Sequence, residues 1–138
     1  MDAFNADQKK AAEYLYQTAY DLRDALRDYH YASLALTGTT SQESLDEMRI
    51  EYGKAGAIEK NLVRFLSTPN TLPKSIVEAA NAYRGAAVRA FQDIDSVRAG
   101  HHIGFNELEH DMVEEMKKLR ALLDMGYVNG LPLPMPPP

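Results

Sequence analysis

Apolar residues recur three or four positions apart along most of this chain, the spacing that stacks side chains on one face of a helix. Ala11, Ala12, Leu15, Ala19, Leu22, Leu26, Tyr29, Ser33 and Leu36 form the first such stripe. It predicts a helix from about Ala6 to about Leu36, opened by a capping box of Asn5 with Gln8 and stopped by Thr37-Gly38-Thr39-Thr40. A second stripe of Leu45, Met48, Tyr52, Ala55, Leu62 and Leu66 predicts a helix from about Gln42 to Leu66 behind a Ser41 cap. Gly53 and Gly56 weaken its middle; they either admit a close neighbour or mark a bend.

The third helix starts near Pro73, whose missing amide hydrogen suits a first helical position, and ends at Gly100. Its apolar face is Ile76, Ala80, Tyr83, Ala87, Phe91, Ile94 and Val97. After a linker of His101-His102-Ile103-Gly104, a fourth helix runs from about Asn106 to Met125 on Phe105, Leu108, Met112, Met116, Leu119, Leu122 and Leu123. Asn106 with Glu109 reads as its capping box, and Gly126 as its stop.

Four amphipathic helices with short connections bury their stripes only against one another, so the fold class is all-α, an up-and-down four-helix bundle. Alanines at inward positions of the first and third helices predict close packing where those two meet. The alternation needed by a half-buried strand never persists. Leu131-Pro132-Leu133-Pro134-Met135-Pro136-Pro137-Pro138 cannot continue a helix and reads as an extended, proline-rich C-terminal tail. The chain therefore divides into a bundle over 1–126 and a tail over 127–138. Aromatic-lined grooves recognise such segments; the alternative is a tail that packs on its own bundle or hangs free.

Composition narrows the chemistry. The chain has 138 residues, 45% apolar and 25% charged, ordinary values for one globular domain. No apolar run is long enough for a membrane span, and Met1-Asp2-Ala3-Phe4 lacks the start of a secretory signal. Cysteine is absent, which removes disulfides, thiolate catalysis and cysteine-based metal centres and leaves the cytoplasm as the default location. A net charge of -5 argues against non-specific nucleic-acid binding, which needs clustered bases to neutralise phosphates.

Few constellations carry chemistry. Glu107-Leu108-Glu109-His110 has the Glu-x-x-His spacing of dinuclear bundle centres once, and those centres need it twice. Its Glu107 and His110 point away from the apolar stripe, so no metal site and no cofactor is assigned. Ser33, Ser75 and Ser96 lie in helices without a nucleophile-elbow context. Arg23-Asp24-Ala25-Leu26-Arg27-Asp28-Tyr29-His30 resembles the arginine, four-to-six residues, histidine pattern of the helical HEPN ribonuclease-like domains. The resemblance covers eight residues and implies metal-independent RNA cleavage. In that reading Arg23 stabilises transition-state phosphate charge and His30 shuttles a proton. The other reading of His30, beside Leu26 at the edge of the apolar face, is a packed, hydrogen-bonded imidazole.

The first helix also holds five of the eight tyrosines. At 3.6 residues per turn, Tyr16, Tyr20 and Tyr31 share a side with Lys9, Arg23 and Arg27, while Asp21, Asp24 and Asp28 turn further around. Tyrosine and arginine are the residue types enriched as interface anchors. Tyr16, Tyr20, Arg23, Arg27 and Tyr31 are accordingly the candidate binding residues of a non-enzymatic adaptor, accessory or inhibitor protein. The helix's length also predicts a homodimer, whereas packing on two neighbours would make some of these tyrosines bundle-edge residues.

Overall fold

A computed structural model describes residues 2–36, 41–97 and 105–137. Its elements are α1 (Ala6–Ala35), α2 (Gln42–Ser67), α3 (Lys74–Val97) and α4 (Phe105–Asp124), packed up and down as a four-helix bundle. The capping box of α1 is formed: Asn5 accepts from the Gln8 amide at 2.8 Å, and the Gln8 side chain accepts from the Asn5 amide at 3.0 Å. Ser41 caps α2 through the Ser44 amide at 3.2 Å. Pro73 stands one residue before α3, and its carbonyl already accepts from Ile76 and Val77. The predicted stop at 37–40, Gly100, the linker histidines at 101 and 102, and the side chains of Val97, Phe105, Asn106 and Leu108 lie outside the described residues.

The predicted stripes of α1, α3 and α4 form one core, with Leu15, Leu22, Leu26, Tyr29, Ile76, Tyr83, Met112, Met116 and Leu119 fully buried. The square is flattened. α1 touches all three other helices, and α2 and α4 do not meet among the described residues. Small side chains permit this: Ala19 of α1 faces α3, where Tyr83 donates its hydroxyl to the Ala19 carbonyl, and Ala80, Ala86, Ala87 and Ala90 are buried.

Helix α2 departs from its predicted stripe. It buries only Met48, Ala55 and Leu62 along 26 residues, while α1 buries thirteen of 30. Leu45 and Leu66 are half-buried, and Tyr52 is 46% exposed. α1 is thus the central helix and α2 the peripheral one. The two glycines of α2 do not admit a neighbour from this chain, because a Cβ at either would meet nothing within 4 Å. They do not interrupt the helix either.

The residues after α4 return along the bundle. The Phe4 amide donates to the Gly126 carbonyl at 2.8 Å, and Phe4 packs edge-on against Tyr127. Gly130 turns the chain with φ +78°, a conformation that favours glycine. Leu131 beyond it is buried in the core cluster.

Candidate interaction surface

The Tyr/Arg side of α1 faces α4 and the C-terminal segment. Tyr16 is fully buried, and its hydroxyl donates to the Pro134 carbonyl at 2.7 Å. The Arg120 guanidinium lies 5.1 Å from the Tyr16 ring centre, a cation–π distance. The same guanidinium donates to the carbonyls of Leu131, Leu133 and Pro134 at 2.7–2.9 Å. Asp124, four residues on, accepts from Arg120 Nε and from the Leu131 amide, so it orients the fork and anchors the segment together. Burial, outweighing the nearby Arg120, pushes the Tyr16 phenol above its ordinary pKa.

One to two turns along, Arg23 is 5% exposed. Its guanidinium donates to Glu109 of α4 at 2.8 Å and to Asp24 at 2.8 Å. Burial raises the Glu109 carboxyl above its ordinary range, with Arg23 pulling the other way. Arg27 is partly exposed, 3.8 Å from the other Glu109 oxygen. Tyr20 is half-buried beside Tyr16, and Tyr31 is 57% exposed. Of the five candidate binding residues, Tyr16 and Arg23 therefore hold the bundle together, Tyr20 and Arg27 line its edge, and Tyr31 alone is open. The reason is that α4 and the C-terminal segment cover the side of α1 that carries Tyr16 and Arg23, while its exposed stripe runs through Gln17, Asp21, Asp28 and Tyr31.

His30 is 1% exposed, and burial holds its imidazole below the ordinary pKa, which favours the neutral form. An RNA phosphate reaches neither Arg23 nor His30 unless the bundle opens. Glu107 and His110 are exposed on α4, and among the described residues no three His, Asp or Glu side chains are placed to hold a metal. Among the described residues no helix is long and apolar enough to cross a membrane.

The open surfaces lie on either side of α2. Between α1 and α2, Asp21, Asp24, Asp28 and the Glu51–Lys54 pair wall a groove of about 420 Å³ floored by Ala25, Ala57 and Ile58. Burial first, then repulsion from Glu51 and Asp24, raises the Asp28 carboxyl. Between α2 and α3, Tyr52 stands over the core with its ring 5.4 Å from Tyr29 and 5.2 Å from Phe91, edge-on to both. Arg49, Lys60 and the Arg84–Glu59 pair surround it. Ile50, on the outward side of α2, is 57% exposed.

Sequence reasoning missed Arg120 and Asp124, and gave Glu109 a capping role where its side chain pairs with Arg23. The signal was present: Glu109, Met116 and Leu123 are seven apart, as are Val113 and Arg120, which places both charges on the buried stripe of α4. The chain matches no protein-family model, no curated protein and no solved structure.

Proposed function

We propose that this protein is a non-catalytic interaction module whose contact surface is α2: its outward face and the groove around Tyr52. One observation carries the reading. A helix of 26 residues buries three of them and turns Ile50 and Tyr52 outward. The Tyr/Arg side of α1, the first candidate from sequence, contributes to that surface only at its edge.

Tyr52 has the properties of an anchor. Its ring is held by Tyr29 and Phe91, so little side-chain freedom remains to be lost on binding, and its open edge is flanked by arginines. The proline-rich C-terminal segment acts in this reading as an internal strap, because Arg120 and Tyr16 engage its carbonyls.

Site-specific photo-crosslinking in the native host tests the reading. A benzoylphenylalanine at position 50 gives discrete protein adducts, the same residue at exposed position 78 on α3 gives none, and Tyr52→Ala reduces the adducts at position 50. No adduct at position 50, or equal adducts at both positions, overturns it.

A further inference from the structure

We infer that the α2 face is occupied by the α2 face of a second copy, in a two-fold dimer whose α2 helices run parallel. The inference rests on the interaction reading above and names its partner. It is carried by how charge is distributed across α2.

The side of α2 towards α1 is acidic, and the side towards α3 is basic at the same heights along the helix. Heights follow from the antiparallel register of α1 and α2, in which Tyr14 packs on Phe65 and Asp28 lies beside Glu51. Asp21, midway between Tyr14 and Asp28, is therefore level with Ile58. Near positions 49–54 the acidic side holds Asp28 and Glu51 beside one base, Lys54, and the other side holds Arg49. Near positions 57–60 the acidic side holds Asp21, and the other side holds Lys60 and Arg84. Acids on the basic side are engaged at home, Glu59 by Arg84 and Asp95 by the Tyr29 hydroxyl, while on the acidic side Lys54 engages Glu51 at 3.4 Å and leaves Asp28. Arg49 and Lys60 have no ion-pair partner among the described residues.

A two-fold axis parallel to α2 exchanges left and right while preserving height. It sets Arg49 of each copy against the other's Asp28, beside the Glu51–Lys54 pair, and Lys60 and Arg84 against the other's Asp21. An axis across α2 would instead set acid against acid. The charges thus select the parallel pair and supply register, while apolar contact supplies affinity.

The ridge between the two sides admits such a neighbour. Ile50, Gly53 and Ala57 line it, and Gly53 has open space around it, although glycine weakens a helix interior. The size also fits. Twenty-six residues make a face about 39 Å long, and with the flanking edges of α1 and α3 a strip roughly 20 Å wide over that length approaches the ~800 Å² per partner of a stable interface. Arg64 meets its own copy near the end of the ridge and limits close contact there.

Two experiments on the full chain test this. The chain has no cysteine, so Ile50→Cys and Ala57→Cys each introduce a single thiol. The parallel pair, in which equal positions meet all along the ridge, predicts disulfide-linked dimers from both variants and none from Glu78→Cys. Crossing or antiparallel helices meet at one equal position at most, and cross-linking at only one of the two overturns the arrangement. The second experiment is a charge swap read by sedimentation equilibrium. D21K/D28K and R49E/K60E each weaken self-association at least tenfold, and their equimolar mixture restores a heterodimer. Monomer mass for the unsubstituted chain up to high micromolar concentration, or dimers indifferent to both swaps, overturns the proposal. A monomer that still gives foreign adducts from position 50 sinks the second copy as occupant but leaves the interaction reading standing; a monomer without adducts sinks both.

Discussion

Tyr16 and Arg120 converge on one carbonyl: that of Pro134 accepts from the tyrosine hydroxyl at 2.7 Å and from the guanidinium at 2.9 Å. The stacked pair thus fastens the C-terminal segment to α1 and α4 at once. Arg120→Ala removes three carbonyl contacts and the cover of Tyr16, and an expected loss of about 2–4 kcal/mol follows from leaving buried acceptors unmatched. Arg120→Lys recovers little, because an ammonium lacks the planar fork. Truncation after Gly130 produces a similar loss. Urea unfolding of the three variants measures each; an Arg120→Ala variant as stable as the parent contradicts the strap.

Arg23 and Glu109 form the buried link between α1 and α4, with Arg23 Nε and the second Glu109 oxygen buried without a hydrogen-bond partner among the described residues. Removing Glu109 leaves the buried Arg23 with only the half-exposed Asp24 as a partner among the described residues. Glu109→Ala is expected to cost about 3–5 kcal/mol, whereas Arg23→Leu with Glu109→Leu is expected to be near neutral or stabilising. The double-mutant cycle by denaturant unfolding checks the difference in sign.

Buried groups also set the pH response. The folded His30 has its pKa depressed from 6.5, so the stability it contributes is complete above that value and is lost as pH falls through the lowered one. Glu109 and Asp28 are raised from 4.5 and 3.8, so their ionisation costs stability as pH rises through that lower window. Acidification below pH 6.5 destabilises through His30, and protonation of the two carboxylates above their ordinary values offsets part of that loss. Thermal unfolding at stepped pH shows this, and His30→Gln flattens the first limb.

Two glycines respond in opposite directions. A Cβ at Gly126 would lie 2.3 Å from the Phe4 ring, so Gly126→Ala is expected to destabilise by about 1–3 kcal/mol through overpacking. A Cβ at Gly53 meets nothing within 4 Å, so Gly53→Ala is expected to stabilise the isolated chain by up to about 1 kcal/mol. If the ridge is a contact face, the same change weakens association. Denaturant unfolding at low concentration and sedimentation at high concentration separate the two effects.

Periodicity made the helices legible because α1, α3 and α4 each bury an apolar stripe, and the Asn5–Gln8 cap was readable because its partners are local. The side of α1 carrying Tyr16 and Arg23 was misjudged for a physical reason. A wheel of one helix records which residues share a side, and not which other elements cover it. Arg120, Glu109 and Pro134 cover that side from 86 to 118 residues away. The same gap hid the openness of α2, whose stripe predicts burial that a flattened bundle supplies at only three positions.

Reaction of the tyrosines with tetranitromethane, mapped by peptide mass, tests most directly whether the Tyr side of α1 is internal and the α2 side is the contact surface. The account predicts rapid nitration of Tyr14, Tyr31 and Tyr52 at low protein concentration, with Tyr16, Tyr29 and Tyr83 protected. At high concentration it predicts that protection spreads to Tyr52 and leaves Tyr31 reactive. Nitration of Tyr16 as fast as that of Tyr31, or protection that grows at Tyr31 and not at Tyr52, would contradict it.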